Sequence, residues 1–466
     1  MLFSSPVFLF SFLPLVYLIN MKLPIKYSNG FLTAVSLLFY AWGEPVYILL
    51  LIASLTMNYL ATVLMMRWHK KQIFILCILM NLGLLAVFKY AGFFVGSVNA
   101  VTGLSLGIPE IRLPLGISFF TFQVMSYVID VYAGKVALQK SFLKLMLYIS
   151  FFPQLIAGPI VKYKEIELRL SERQITTAAT AAGIKRFIGG LSKKLLIANT
   201  FALAADQVFA MQPDKLNIFL AWIGAISYVI QIYFDFSGYS DMAIGLGKMF
   251  GFDFPENFNY PYISASIHEF WKRWHISLSS WFREYLYFPL GGNRKSKFRT
   301  ALNRTIVFFF TGLWHGANYT FILWGLFHGL FLTLETMGVI RLNKGRLKPL
   351  GHVYTLLVVT VGFVILRADT LAQAAMLVIN MFAGFTFNEG TKIAVGLIVS
   401  PLLIFCIIPA VVFSAPVVRI ISQRLDRSSL KPAAGFVSGA VSLGLYFLCI
   451  LNLSTSSYNP FIYFRF

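Results

Sequence analysis

Residues 216–234 read LNIFLAWIGAISYVIQIYF and contain no Asp, Glu, Lys or Arg. A helix needs about 20 apolar residues to cross the hydrocarbon layer of a bilayer. Five further uncharged runs lie elsewhere in the 466-residue chain, at 1–21, 45–66, 349–366, 393–418 and 432–464. Backbone groups in lipid must pair with each other, so only helices and closed barrels can span it, and these runs lack the alternating pattern of barrel strands. The sequence therefore predicts an all-α polytopic membrane protein.

The composition supports this prediction. The chain is 58% hydrophobic and 12% charged, whereas soluble domains carry about 25% charged residues. The formal net charge is +21, which Lys and Arg in cytoplasmic loops would explain. An anionic partner, either a phosphate-bearing donor or lipid headgroups, is the alternative explanation. We expect no nucleic-acid partner, because the basic residues alternate with apolar runs and do not form one basic face.

The order of basic clusters predicts a topology with both termini outside the cytoplasm. No basic residue precedes Lys22. Two basic clusters, at 341–348 and 419–431, lie before and after the uncharged runs 349–366 and 393–418. We expect one membrane-embedded domain over residues 1–466. Residues 145–161 contain two prolines and one glycine and predict a bent or re-entrant pair of half-helices, since irregular backbone at that depth must line a cavity.

Residues 165–194 are the most polar part of the chain and are rich in Lys and Arg. We interpret them as cytoplasmic amphipathic helices. Asp235 and Asp241 are acids in an apolar context. They could relay protons in a transporter, or they could cap a break in a helix.

The candidate catalytic core is the segment 264–320, SASIHEFWKRWHISLSSWFREYLYFPLGGNRKSKFRTALNRTIVFFFTGLWHGANYT. It holds half of the six histidines and half of the eight tryptophans. A helix over 264–288 would place His268 and His275, seven residues apart, on one face. Such a basic, aromatic helix is typical of the membrane interface, where it could line a substrate cavity or serve only as an anchor.

His315 is the strongest candidate for chemistry. Arg304 marks the edge of the membrane, and eleven helical residues rise about 16 Å, which reaches the middle of a roughly 30 Å hydrocarbon layer. Gly312 and Gly316 would let backbone or substrate approach closely. An ionisable residue at that depth indicates function, although a structural histidine bonded to a carbonyl is the alternative. A neutral imidazole could take the proton from a hydroxyl that attacks an acyl carbonyl.

Other motifs carry less weight. Residues 103–107, GLSLG, match the G-x-S-x-G nucleophile pattern without the strand-to-helix context that it requires. No H-E-x-x-H, C-x-x-C or P-loop motif occurs, and the three cysteines lie in apolar runs, so we expect no metal. His328 and Glu335, seven residues apart, could pair on one helix face.

Several long motifs together resemble one family, the membrane-bound O-acyltransferases, and within it the bacterial alginate O-acetyltransferase branch. The similar segments cover nearly the whole chain: MLFSSPVFLF at 1–10, LPLGISFFTFQVMSYVIDVY at 113–132, FFPQLIAGPI at 151–160, residues 231–295, TGLWHGAN at 311–318 and NPFIYFRF at 459–466. The resemblance implies a bundle of about 10–12 transmembrane helices with re-entrant and interfacial helices. It also implies a central tunnel that opens on the cytoplasmic side to an acyl thioester.

The resemblance further implies that His315 is the catalytic histidine and His275 the second histidine of the motif. Acetyl-CoA is the expected donor, and the expected location is the bacterial inner membrane. Family members pass the acetyl group to periplasmic acetyltransferase or esterase-like partner proteins that modify alginate, cellulose or peptidoglycan, and a distant branch uses a carrier protein to D-alanylate teichoic acids. We add six candidate substrate-binding residues: Trp314, Trp271, Lys272, Arg273, Arg283 and Asn318.

Three hypotheses about function therefore stand. The first is an acetyltransferase for an extracytoplasmic polysaccharide, with alginate favoured over peptidoglycan or cellulose. The second is a transporter or flippase of acyl or glycan intermediates that uses Asp235 or Asp241. The third is a scaffold without catalytic activity, for which His315 would be dispensable.

Overall fold

The computed structural model describes residues 1–212, 215–425, 427–455, 458 and 462. These residues form helices joined by turns and irregular segments, with no strand in the described ranges. The all-α prediction is therefore confirmed. The chain groups into two compact units, Met1–Phe187 with Ser240–Glu256 and Ile188–Tyr239 with Asn257–Phe466. The single domain expected over 1–466 stays a prediction.

Twenty-two α-helices are numbered in chain order over the described residues. The first eleven are α1 Leu13–Lys22, α2 Ile25–Gly43, α3 Tyr47–Trp68, α4 Lys71–Leu85, α5 Ala91–Thr102, α6 Ile117–Tyr132, α7 Phe142–Ser150, α8 Phe152–Leu155, α9 Tyr163–Ile166, α10 Thr177–Ser192 and α11 Asn199–Phe209. The others are α12 Ile218–Met249, α13 Ile267–Arg273, α14 Ile276–Phe282, α15 Lys297–His315, α16 Tyr319–Met337, α17 Lys348–Arg367, α18 Leu371–Ala383, α19 Glu389–Ile398, α20 Pro401–Ser414, α21 Val417–Leu425 and α22 Lys431–Thr455.

Short stretches of other helix types extend some of these elements. They are the π-helical turns Phe8–Phe12, Ala86–Tyr90, Lys193–Ala198 and Arg283–Tyr287 and the 3₁₀ turns Leu168–Leu170, Pro261–Ile263 and Gly345–Leu347.

Seven helical stretches among the described residues are long and apolar enough to cross a membrane. They are Tyr47–Trp68, Lys71–Thr102, Thr177–Phe209, Ile218–Met249, Tyr319–Met337, Gly345–Arg367 and Lys431–Thr455. The pair α19 and α20, bent by 61°, would make an eighth. Shorter apolar helices are Phe8–Lys22, Ile117–Tyr132 and Leu371–Ala383. The chain is thus a multi-pass membrane protein, and ten to twelve crossings would require the shorter helices as well.

Residues 165–194 include helix α10, in which the buried residues Gly183, Phe187 and Leu191 recur every four positions, as in an amphipathic helix. From Thr177 the chain forms one helical stretch that continues to Phe209 and has a mean hydropathy of 1.2 over its most apolar part. Arg186 has two acidic partners, since its Nη2 atom lies 2.8 Å from Asp241 and 2.5 Å from Glu256. A paired charge is far less costly in an apolar environment than an isolated one. The cytoplasmic location of this stretch stays a prediction.

Asp235 likewise has a structural partner. Helix α12 runs unbroken through both Asp235 and Asp241, so neither acid caps a helix break. The Nζ atom of Lys194 lies 2.7 Å from the Oδ1 atom of Asp235, and the two side chains are 4% and 2% exposed. Both acids of the transporter hypothesis are therefore engaged in ion pairs.

The break predicted within 145–161 is confirmed. Helix α7 ends at Ser150, Phe151 is non-helical with ψ of 115°, and α8 is a four-residue helix. Nearly all of this stretch is buried within the first unit.

Helices α15 and α16 form a tightly packed hairpin in the second unit, and this hairpin positions His315. A Cβ atom on Gly312 would overlap the carbonyl oxygen of Phe321, and one on Gly325 would overlap that of Phe308. Small residues thus allow the two backbones to approach closely, as is common in membrane helix pairs. The ring of Phe321 occupies the space beside Gly316. Of the two possibilities for these glycines, backbone or substrate, the backbone of Phe321 approaches Gly312 and the ring of Phe321 fills the space beside Gly316.

Candidate active site

The segment 264–288 is not one helix. Helix α13 ends at Arg273, Trp274 is extended, and His275 adopts the left-handed conformation with φ of 43° before α14 begins at Ile276. The prediction that His268 and His275 share a helix face is therefore wrong. The break is held by Asn257, whose carbonyl oxygen accepts a hydrogen bond from the backbone nitrogen of Ile276 at 2.9 Å.

The side chain of Asn257 also fixes the tautomer of His275. Its Oδ1 atom lies 3.2 Å from His275 Nδ1 and accepts hydrogen bonds from the Ser277 backbone nitrogen at 3.3 Å and from Ser277 Oγ at 2.9 Å. A backbone N–H can only donate, so this atom is the amide oxygen, and His275 Nδ1 must carry a proton. In the neutral ring, Nε2 therefore holds the lone pair.

His275 is fully buried, and its surroundings favour the neutral form. Burial, and in second place the nearby His315, lower the pKa of His275 well below its ordinary value. The ring of Phe236 packs edge-on against it with a centroid separation of 4.6 Å. His275 is thus a neutral imidazole in an apolar setting.

His275 and His315 both contact the ring of Trp314. The ring centroids of His275 and Trp314 are 5.8 Å apart, and those of Trp314 and His315 are 5.0 Å apart. His315 is 6% exposed and also packs edge-on against Trp324 at 5.0 Å. The structure therefore brings together both histidines that the sequence singled out, although His275 lies at the break between α13 and α14 and His315 at the end of α15.

A second aromatic layer, formed by Trp324, Trp271 and His328, lies next to His315. The ring of Trp324 contacts Trp271 at 5.6 Å and His328 at 5.2 Å, and the indole nitrogen of Trp271 donates to His328 Nδ1 at 3.4 Å. Glu335 instead accepts hydrogen bonds from the backbone nitrogens of Ile267 and His268, at 2.7 and 3.0 Å. The suggested pairing of His328 with Glu335 is thus replaced by two separate contacts, both of which hold α13 against α16.

Two cavities adjoin α13. The smaller, of about 390 Å³, is lined by the predicted residues Trp271, Lys272 and Arg283 and by His268 and Arg304. The larger, of about 770 Å³, shares His268, Lys272 and Arg304 with it. Trp271 therefore stands between the smaller cavity and the aromatic layer that leads through Trp324 to His315.

His268 has a basic neighbourhood. Burial, followed by the positive charges of Arg304 and Lys272, lowers its pKa to about 4. His268 is therefore neutral at pH 7, and the electrostatic potential around it is positive.

The other predicted substrate-binding residues have structural contacts. The Nη2 atom of Arg273 lies 2.9 Å from Glu269, and its Nη1 atom donates to the carbonyl oxygen of Asn259 at 3.1 Å. Asn318 caps α16 by accepting from the backbone nitrogen of Thr320 at 3.2 Å, and it donates to the carbonyl oxygen of Asp369 at 2.9 Å. Their roles in substrate binding stay predictions. Ser105 of the GLSLG motif lies in an exposed irregular segment, without the required strand-to-helix turn.

Sequence reasoning missed Asn257 and Trp324. Asn257 lies 18 positions before His275 and belongs to no local pattern that would connect the two. Trp324 stands four residues before His328 on α16, and that spacing places both side chains on one helix face. The spacing of Trp324 and His328 could therefore have been recognised in the sequence. The contact of Asn257 with His275 forms only when the chain folds.

A helical membrane fold with two buried imidazoles in contact with one tryptophan ring is typical of a membrane-embedded enzyme. Comparison with known proteins identifies which one: residues 117–372 match the membrane-bound O-acyltransferase (MBOAT) family, and the chain belongs to this family. The protein is therefore an acyltransferase, in the branch expected from the sequence.

Three relatives illustrate the range of similarity. The chain is 39% identical to the probable alginate O-acetylase AlgI of Pseudomonas putida, over the full length of both chains. It is 36% identical to the peptidoglycan O-acetyltransferase of Helicobacter pylori, over 80% of this chain and 78% of that one. It is 29% identical to the teichoic acid D-alanyltransferase of Bacillus subtilis, over 53% of this chain and 65% of that one.

Proposed function

We propose that this protein transfers an acetyl group from a thioester donor, acetyl-CoA on the cytoplasmic side, for the O-acetylation of an extracytoplasmic polysaccharide. The observation that carries the proposal is the contact of both His275 and His315 with the ring of Trp314. The names of the relatives at 39% and 36% identity support acetyl as the group and a polymer hydroxyl as its final acceptor.

In the proposed reaction, His315 is the general base. An acceptor hydroxyl gives its proton to the imidazole while its oxygen bonds to the acetyl carbonyl carbon. The tetrahedral intermediate then collapses, the carbon–sulfur bond breaks, and the thiolate leaves. The protonated imidazole returns its proton to that thiolate, so the base is regenerated.

His275 has a different part in the proposal. Its Nδ1 proton is directed at Asn257, so a hydrogen bond from the substrate hydroxyl would have to be accepted by Nε2. A neutral acceptor in an apolar site orients that hydroxyl without adding charge. We therefore assign His275 to substrate orientation, while Trp271, Lys272 and Arg283 would contact the donor in the smaller cavity.

Alginate is the favoured polymer, because the relatives aligned over the full length of this chain include probable alginate O-acetylases of Pseudomonas putida and Azotobacter vinelandii. Peptidoglycan is the second candidate because of the Helicobacter pylori relative. In either case we propose an inner-membrane location, periplasmic termini and a periplasmic partner protein that completes the transfer to the polymer. The basic clusters between the apolar helices support that orientation.

The test compares His315→Ala with a control histidine variant, His69→Asn, at an exposed left-handed position that asparagine also tolerates. We expect His315→Ala to lower polymer O-acetylation by about 10²–10⁴-fold, the usual contribution of a general base, while membrane levels stay equal. His69→Asn should leave acetylation unchanged. Wild-type acetylation in His315→Ala would instead favour the scaffold hypothesis.

A further inference from the structure

Helix α21, Val417–Leu425, lies on the surface of the second unit, and none of its residues is buried. It follows α20, one half of the bent pair that would make an eighth span, and it precedes α22, which is long and apolar enough to cross a membrane. A segment between two spans lies where the chain leaves the bilayer and enters it again. Helix α21 is therefore at the membrane surface, and the proposed chemistry uses none of its side chains.

The nine residues of α21 form two distinct faces. At 100° per residue, the apolar side chains share about 160° of the helix circumference; these are Val417, Val418, Ile420, Ile421 and Leu425. Arg419, Ser422 and Gln423 lie on the opposite face. Four of the five apolar side chains are exposed, and Ile421 is exposed by 52%. The fold thus leaves the apolar face uncovered, an arrangement that is typical of a helix in the plane of the membrane interface.

The region around α21 is strongly basic. Residues 419–431 contain four basic residues, all of them exposed: Arg419, Arg424, Arg427 and Lys431. Asp426 is the one acid of this stretch in the sequence, and it lies outside the described residues. Arg424 projects close to Val417 around the helix, and its long side chain can extend past the apolar face to the headgroup layer. The positive charge beside the apolar face is complementary to an anionic lipid surface.

The size of the apolar face favours lipid over a protein partner. A nine-residue helix is about 14 Å long, whereas each partner in a stable protein complex buries roughly 800 Å². Five side chains on one short helix do not supply that area. Acyl chains and headgroups, in contrast, surround a helix at any point of the membrane surface.

We propose that α21 is an in-plane membrane anchor that binds anionic phospholipids. Its apolar face inserts among the acyl chains, while Arg419 and Arg424 contact the phosphate groups of the lipids. Only 6% of the most apolar part of α22 is buried within the protein, so an anchor directly before α22 fixes the point at which that helix enters the bilayer. This lipid binding does not depend on the acetyl-transfer reaction at His315.

Fluorescence quenching tests the insertion of α21. Ile421→Cys and Gln423→Cys, on opposite faces of the helix, are each labelled with bimane in the full chain, because the three native cysteines are buried. The nanodiscs contain lipids brominated near the headgroup end of the acyl chains, the depth that an interfacial helix reaches. The reference is Val437→Cys, an exposed position in the first turns of α22.

We expect bimane at position 421 to be quenched as strongly as the reference and bimane at position 423 to be quenched little. An unquenched label at 421 beside a quenched reference would overturn the proposal, since the apolar face would then be covered by water or protein. Equal quenching at 421 and 423 would overturn it as well, because neither face would then be turned toward the acyl chains.

Lipid selectivity is tested with Arg419→Gln/Arg424→Gln. The matched control, Arg169→Gln/Lys392→Gln, removes the same charge from exposed residues that already have acidic partners. Phosphatidylglycerol and phosphatidylcholine are titrated into the detergent-solubilised proteins, and bound lipids are counted by native mass spectrometry. We expect roughly fivefold weaker phosphatidylglycerol binding for each arginine removed, equivalent to about 1 kcal/mol, with no change in the control or toward phosphatidylcholine. Unaltered phosphatidylglycerol affinity in Arg419→Gln/Arg424→Gln would overturn the assignment of an anionic lipid.

Discussion

The Nδ1 atom of His275 lies 3.2 Å from the Oδ1 atom of Asn257, and this contact determines which nitrogen of the ring carries the proton. The same amide oxygen caps the start of α14 through Ser277. One side chain thus fixes both the backbone turn and the tautomer of a candidate catalytic residue.

Asn257→Asp should change the pH dependence of acetyl transfer. Burial keeps the pKa of His275 well below its ordinary value in the wild type, so the ring stays neutral as the pH falls through 6.5, its usual pKa. A carboxylate at position 257 would favour the protonated ring and raise that pKa. Activity should therefore decline at a higher pH on the acid side of a pH–rate profile. Asn259→Asp, an exposed position two residues away, should keep the wild-type profile, and an unshifted acid limb in Asn257→Asp would contradict the assignment.

Substitutions of His275 should separate fold from function. Asparagine tolerates a positive φ, whereas a β-branched residue there is strained by about 1–3 kcal/mol. We expect His275→Asn to unfold near the wild-type temperature but to lose most acetyl transfer, and His275→Val to lose both. Thermal unfolding in detergent and a transfer assay would measure the two effects. Full activity in His275→Asn would show that the imidazole is dispensable.

Gly312→Ala and Gly325→Ala should each destabilise the α15–α16 hairpin. The added methyl groups would overlap backbone oxygens of the facing helix, and such overpacking costs about 1–3 kcal/mol. Gly439→Ala is the control, since a Cβ atom there meets nothing within 4 Å. We expect only Gly312→Ala and Gly325→Ala to unfold at a lower temperature than the wild type. Equal temperatures in all three would mean that the hairpin can relax without cost.

The Lys194–Asp235 pair gives a test of the transporter hypothesis. Asp235→Asn alone leaves the buried Lys194 ammonium without its acid, which should cost about 3–5 kcal/mol. Adding Lys194→Met removes that charge, so the double variant should recover most of its stability and its polymer acetylation. A stable double variant without acetylation would show that the carboxylate itself acts in the reaction, as a proton relay requires.

The sequence located the site better than it described its geometry. One short motif contains both Trp314 and His315, and the structure places His275 in contact with the same Trp314 ring. The prediction of a continuous helix over 264–288 was wrong, because helical periodicity does not reveal that His275 is left-handed and is held by Asn257. The carboxylates that pair with Arg186 likewise come from distant positions, which a local sequence pattern does not reveal.

The sequence by itself determined that this protein is helical and crosses a membrane many times, because uncharged runs of bilayer length leave the backbone no other way to satisfy its hydrogen bonds. It also determined the family through long motifs. Only the tertiary structure decided which charges are paired and which histidine nitrogen bears the proton. Those properties depend on contacts between residues far apart in the chain, such as Asn257 with His275 and Lys194 with Asp235, and local sequence patterns do not encode them.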